Sequence, residues 1–189
     1  SKPPVAAPKP GVSPTGMKSV PGWLLEVHEY NKPGVLGPDP LFTRLTRDCP
    51  FNGTLMNKDQ KKAHIYRFLG VFRVKKQGRY VFATDLVCGF GHPCDFSYKV
   101  DNQLIMSVDN DTVDARLQNG IPLSVGDHRI EVITRMTKTS YIKYDPYNRF
   151  QWRFSVKGPD DFNARPFAND EIFAVVPESV NSPVLSCNY

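Results

Sequence analysis

The densest group of chemically capable side chains in this 189-residue chain lies between residues 85 and 95. Asp85, Cys88, His92, Cys94 and Asp95 stand there with Phe90, in the run Asp-Leu-Val-Cys-Gly-Phe-Gly-His-Pro-Cys-Asp. Two thiols and an imidazole are metal-ligand types, but Cys-x5-Cys is not a standard zinc spacing. The two glycines and one proline between the thiols would turn the chain back on itself, which suits a short disulfide loop worth about 2 kcal/mol on the chain-entropy model. Cys49 and Cys187 are then left to pair, tying the C-terminal tail to an early loop. Four cysteines allow three connectivities, and the sequence does not choose among them. Disulfides in turn imply an oxidising, extracytoplasmic setting: periplasmic, cell-surface or secreted. A loop clipped in this way is pre-organised for binding, with Phe90 and His92 as its contact side chains. The competing reading is that the bridge only replaces packing missing from a long loop.

A second candidate is Tyr141-Ile142-Lys143-Tyr144-Asp145-Pro146-Tyr147-Asn148-Arg149, in which three tyrosines alternate with bases. Tyr141, Tyr144 and Tyr147 can stack on sugars or anchor a protein partner; the alternative is that they cover the edge of a sheet. Enzyme machinery is not legible. The adjacent acids Asp160-Asp161 and Asp170-Glu171 read as solvated turn residues. His28, His64, His92 and His128 are scattered, and no Gly-x-Ser-x-Gly, Walker or His-Glu-x-x-His pattern occurs. The expectation is a protein without a catalytic site. Asn52-Gly53-Thr54 and Asn110-Asp111-Thr112 fit the glycosylation acceptor triplet, which matters only in a eukaryotic secretory pathway.

The elements that must position these groups are strands. Hydrophobic residues make up 40% of the chain, a globular value, and Pro (17) with Gly (13) marks a turn-rich protein rather than a helical bundle. The net charge of +5 owes much to Lys2, Lys9 and Lys18 in an acid-free opening stretch, so no basic domain face is required and nucleic acid is not an expected partner. No window approaches the roughly 18 apolar residues of a membrane span, so this fragment is not expected to insert directly into a membrane. The start at Ser-Lys-Pro-Pro is what a processed fragment of a longer chain would show. Residues 1–21 are proline-rich and lack apolar area, predicting a disordered linker.

From Trp23 the pattern turns strand-like. Strands are expected over 23–30, 65–74, 79–84, 96–100, 104–108, 121–123, 128–136 and 151–156. Lys75-Lys76-Gln77-Gly78 reads as a hairpin turn making 79–84 the antiparallel partner of 65–74. Asp101-Asn102-Gln103 reads as another turn. Residues 41–62 read as a loop with a short helical turn. Ile130, Val132, Thr134 and Met136 fall on one face, as do Trp152, Phe154 and Val156. Short strands between Gly, Asn, Asp and Pro turns predict an all-β, antiparallel sandwich or barrel. The domain is expected over 22–160, and residues 161–189 form an apolar extension docked on it or on a neighbouring subunit.

Several of these strands together resemble the PA14 domain family, a β-sandwich of adhesins, glycosidases and toxins. Pro21-Gly22-Trp23-Leu24-Leu25-Glu26-Val27-His28-Glu29-Tyr30 is similar to the family's opening strand. Phe68-Leu69-Gly70-Val71-Phe72-Arg73-Val74, followed by Gly78-Arg79-Tyr80-Val81-Phe82, resembles its aromatic-x-Gly strand, Gly turn and Tyr-x-Phe strand. Phe96 to Asp111 resembles the next hairpin, Leu123 to Val132 its Leu-x-x-Gly-x-His strand, and Phe150 to Pro159 its closing run. The resemblance spans about residues 21–160 and implies an antiparallel β-sandwich with His128 in a structural position. In sugar-binding relatives two adjacent aspartates after the Tyr-x-Phe strand hold calcium, which grips sugar hydroxyls. Asp85 occupies the first of these positions but Leu86 the second, leaving Asp95, Asp109 and Asp111 to supply further oxygens; calcium takes six to eight. The resemblance thus implies a calcium site at Asp85 and Asp95 as the candidate cofactor site.

The expected function is a non-enzymatic recognition or adhesion module that binds glycan or a surface protein through its loops. The alternative is a structural assembly component of a bacterial cell-envelope machine, a pilus or secretion apparatus, whose partners are its other subunits. An accessory domain of a glycosidase is a third reading.

Overall fold

The computed structural model describes residues 16–32, 35–47, 64–88, 92–93, 95–109, 112–114, 120–135 and 151–180. Of His64, Val87, Cys88, His92, Pro93, Thr112, Val113, Asp114 and Gln151 only the backbone is described. The described residues form strands and turns, with no helix. In chain order the strands are β1 Met17–Pro21, β2 Trp23–Glu29, β3 Phe42–Thr46, β4 His64–Val74, β5 Gly78–Cys88, β6 His92–Pro93 and β7 Phe96–Val100. They continue with β8 Gln103–Asp109, β9 Thr112–Asp114, β10 Ile121–Leu123, β11 Gly126–Thr134, β12 Gln151–Lys157, β13 Arg165–Pro166 and β14 Ile172–Pro177.

Two antiparallel sheets face each other. The larger has nine strands, running β1-β14-β4-β11-β7-β8-β9 with β2 and β3 branching from β4. The smaller has five, running β10-β5-β12-β13 with β6 also on β5. The inward residues are those the alternation marks: Trp152, Phe154 and Val156 on β12 and His128, Ile130, Val132 and Thr134 on β11 are buried. Met136 lies outside the described residues. Between the sheets the rings interlock edge to face. Phe68 sits 5.0 Å from Phe154, and Phe72 5.4 Å from Tyr80 and 5.7 Å from Phe82.

The expected hairpin between residues 65–74 and 79–84 does not form. The turn at 75–77 carries the chain across the sandwich, so β4 lies in the larger sheet and β5 in the smaller. The reason is edge occupancy. One edge of β4 is bonded along its length by β11, and the other is divided between β2 and β14. Gly70 lies at that division. A Cβ there would fall 2.7 Å from ring atoms of Trp23 and 2.8 Å from Ile172 Cδ1, so the glycine is what lets the indole lie over the strand.

Three further differences concern the chain's margins. Met17–Pro21, expected in the linker, is a strand paired with β14; residues 1–15 lie outside the described residues. Phe42–Thr46, expected in a loop, is strand β3 paired with β2. Ile172–Pro177, in the expected extension, is β14, bonded by β1 on one side and β4 on the other. Its Ala174 and Val176 bury a small second core with Leu45, flanked by Val20 and Leu24. Residues 181–189 lie outside the described residues.

Candidate functional site

The sandwich has an upper end, where β4 begins and β5 finishes, and a lower end, where the 75–77 turn joins them. Upper-end residues are brought together by register. Cys88 pairs with His92 and Val87 with Pro93, so the chain reverses between Cys88 and His92. Val87 also faces Gln151, the first residue of β12. Phe96 at the start of β7 pairs with both Thr134 and Val108. The strands leading into loop 89–91 and into segment 136–150 therefore meet at one end. Asp85 and the His92 backbone are joined there by the β5–β6 hairpin, and Asp95 lies just before β7. Phe90, Tyr141, Tyr144, Tyr147, Cys49, Cys94, Cys187 and Asp111 lie outside the described residues, as do the side chains of Cys88 and His92.

The described residues do not fit a calcium site. Asp85 is exposed on the outer face of β5, while Leu86, 4% exposed, points into the core. β5 continues as a strand to Cys88, so positions 85 and 86 face opposite ways and cannot grip one ion. Arg153 sits opposite Asp85 in the ladder, and a fixed cation there opposes a second one. Asp109 is paired with Arg135, Oδ2 to Nη2 3.4 Å, and the Arg135 N–H donates to the Asp95 carbonyl at 2.6 Å. Among the described residues no three of His, Cys, Asp or Glu converge as metal ligands. A cleft of about 40 Å³ between Trp23, Arg47, Phe167, Asn169 and Ile172 has room for a few waters, not a sugar ring.

The lower end is built from polar groups that the sequence reading assigned to solvent. Arg165 Nε reaches Asp161 at 3.0 Å, while its two terminal nitrogens each donate to Glu171 at 2.7 Å. Asp160 binds Lys76 at 2.7 Å, and Asp170 pairs with Lys75. Each acidic doublet thus divides its labour: Asp161 and Glu171 take Arg165, and the other two take lysines. The Gly158 N–H lowers the pKa of Asp161, against burial and together with Arg165. Burial works to raise that of Glu171, but Arg165 and the Ala168 N–H outweigh it and the pKa is lowered.

His128 fills a structural role, as the resemblance implies. Its Nδ1 lies 2.6 Å from Asp101 Oδ2 and its Nε2 2.8 Å from the Ser124 carbonyl. Both ring nitrogens therefore face acceptors, the arrangement of an imidazolium. Burial opposes the charge, but Asp101 and then Ser124 more than offset it and raise the pKa above its ordinary value. Asp101 and Asn102 both have positive φ, 49° and 65°, which makes the β7–β8 connection the two-residue turn suited to a twisted hairpin. Sequence reasoning also missed a polar string on the outer face of the larger sheet. Arg67 bonds Glu131 at 2.6 Å and Glu26 at 3.1 Å, and Glu26 meets His28 Nε2 at 3.0 Å. His28 Nδ1 is buried without a partner among the described residues. The signal available was the even spacing of Glu26 and His28 on one strand.

No helix of the described residues is long and apolar enough to cross a membrane. No protein-family model and no curated protein matches the chain. Solved structures do match its fold. The PA14 domain of the MpAFP antifreeze protein aligns with a TM-score of 0.54 at 10% identity, over 88% of this chain and 96% of that one. An anti-sigma factor domain-containing protein from Clostridium clariflavum aligns at 0.54 and 13% identity over 86% of this chain, and a second protein of that description at 0.56 and 17% over 88%. The alignments cover 50% and 52% of those two proteins, so this chain spans about half their length. At such identities the likeness concerns fold alone, and the fold of this chain is a PA14-like antiparallel β-sandwich.

Proposed function

We propose that the chain is a non-enzymatic recognition module, displayed outside the cytoplasm, that binds glycan or a surface protein through the loops of its upper end. One observation carries the reading: the strands flanking residues 89–91 and the Tyr-bearing segment 136–150 converge on one end, while at the other end the charged groups around Arg165 pair with one another. Rigid sandwiches with loops gathered at one end are suited to recognition. Phe90, His92, Tyr141, Tyr144 and Tyr147 are the contact residues in this reading, and a Cys88–Cys94 bridge would brace the first loop. The test is a glycan array and a cell-binding assay on the non-reduced chain, with and without calcium. A specific signal is expected that falls when Tyr141, Tyr144 and Tyr147 are replaced by Ser. An array and cell panel without specific signal would overturn it. For the assembly-component alternative, the apolar stretch at 172–177 is already engaged within its own sheet, by β1 at Phe173–Pro177 and by β4 at Ile172 and Phe173.

A further inference from the structure

The outer faces of the two sheets differ in charge bookkeeping. On the larger sheet several bases of the outer face meet acids, Arg67 lying between Glu26 and Glu131 and Arg73 pairing with Asp127, while Arg129 is exposed. On the smaller sheet β5 and β12 present Val81 opposite Lys157, Ala83 opposite Ser155 and Asp85 opposite Arg153. Pro166 continues the middle row beyond Ser155. Arg153, Lys157, Ala83, Asp85 and Pro166 are exposed, and Val81 and Ser155 half-buried. Neither Arg153 nor Lys157 joins an ion pair among the described residues. Asp161 lies near enough to Lys157 to feel its charge, but the Asp161 carboxylate is held by Arg165 and the Gly158 N–H.

We infer that this face is a docking surface for an extended acidic glycan, a polysaccharide carrying sulfate or uronate groups. Three features of the face select that class. Arg153 and Lys157 are four residues apart on one strand, about 13 Å, too far for one small anion and suited to a chain with repeated negative groups. The row between them holds Ala83 and Ser155, whose short side chains leave a flat floor on which a chain can lie. Among the described residues these rows present no aromatic ring on which a base would stack, which disfavours single-stranded nucleic acid. Asp85 is the one acid in these rows, and its carboxylate works against the ligand. The inference takes the glycan class from the proposed function but uses a different surface from the upper-end loops.

The test is binding of the whole chain to immobilised heparin as the polysulfated probe, in about 0.15 M salt, where charges beyond roughly 8 Å are screened. Neutral dextran and oligo-dT serve as comparison probes. Reversing both bases, Arg153→Glu with Lys157→Glu, is expected to weaken heparin binding about tenfold or more, since each exposed contact contributes a modest share. A charge-matched reversal elsewhere, Lys32→Glu with Arg129→Glu, should change it less than about twofold. Asp85→Asn should strengthen it about two- to threefold, a gain that misfolding cannot produce. The inference is overturned by no heparin binding, by equal losses in the two double variants, by no gain in Asp85→Asn, or by oligo-dT bound as tightly with the same variant pattern. The upper-end reading stands or falls separately on the array signal and its Tyr→Ser variant. Asp85→Asn also separates the two surfaces: a calcium role for Asp85 at the upper end would make the same substitution weaken binding rather than strengthen it.

Discussion

The lower end of the sandwich has the two- and three-residue connections 75–77, 101–102 and 124–125, together with the longer connection between Lys157 and Arg165 that carries Asp160 and Asp161. The upper end has short connections between Cys88 and His92 and between Asp109 and Thr112, and longer ones between Glu29 and Phe42 and between Thr134 and Gln151. At the lower end the charged side chains are directed at one another: Arg165 at Asp161 and Glu171, Lys76 at Asp160, Lys75 at Asp170 and His128 at Asp101. Nearly every candidate contact residue belongs instead to the upper-end connections. The lower end thus closes on its own charged groups, while the upper end, where Asp109 meets Arg135, is the one the proposed function assigns to partners. Under the proposed function such a division would separate stability from recognition, because changing the upper-end connections would leave the braced end untouched.

The largest effect expected lies in the shared core toward the lower end. Phe72→Ala removes ring contacts to Tyr80, Phe82 and Phe167 and should cost about 3–5 kcal/mol in urea unfolding. A loss below about 1 kcal/mol would mean that this layer is not packed as described. Next, Gly70→Ala forces a methyl group against Trp23 and Ile172 and should cost about 1–3 kcal/mol, with the Trp fluorescence maximum shifted. A neutral outcome would show that the indole does not lie over β4.

Arg165→Met strands the half-buried Glu171 carboxylate and should cost about 1–2 kcal/mol. The upper-end substitution Tyr147→Ser should stay within about 0.5 kcal/mol of the parent. If the two variants unfold alike, the division between ends fails. A smaller effect is expected from Asp101→Asn, which keeps a residue tolerant of positive φ but removes the charge facing His128. Because His128 has a raised pKa when folded, its stabilisation is fully present below the unfolded pKa of about 6.5 and lost as pH rises through the folded value. The difference between parent and variant should therefore be about 1 kcal/mol or less in mildly acidic buffer and vanish in alkaline buffer. A difference that persists or grows with pH would contradict the His128–Asp101 lock. The smallest expected effect is that of calcium, whose addition should leave the melting temperature within about 1 °C of its value in chelator; a clear rise would place a metal site in the upper-end loops after all.

Much of the fold was legible because alternation is a local signal. Trp152, Phe154 and Val156, or Ile130, Val132 and Thr134, can be assigned to one face from a few neighbouring residues. The Asp101-Asn102 turn was equally legible, since its side chains tolerate the conformation the hairpin needs. β1 was hidden because Met17–Pro21 reads as a continuation of a proline-rich stretch. At the edge of a sheet, however, Pro21 lacks only a donor that faces outward. At the candidate site, the reversal between Cys88 and His92 was readable from glycine and proline. The mutual facing of Asp85 and Arg153 was not, because they are far apart in sequence and meet only through strand register.

By itself the sequence determined an antiparallel all-β protein, the inward residues of its alternating strands and most turn positions, while the family resemblance supplied the structural place of His128. The tertiary structure decided which strands share a sheet, so that the turn at 75–77 crosses the sandwich instead of closing a hairpin. It also decided that 172–177 completes the larger sheet, and that both acidic doublets close on Arg165 and two lysines. The physical reason is range. A period of two fixes which face a side chain takes whatever its neighbour strand, whereas partner choice depends on edges and charges supplied from residues as distant as Arg73 and Asp127 or Lys75 and Asp170.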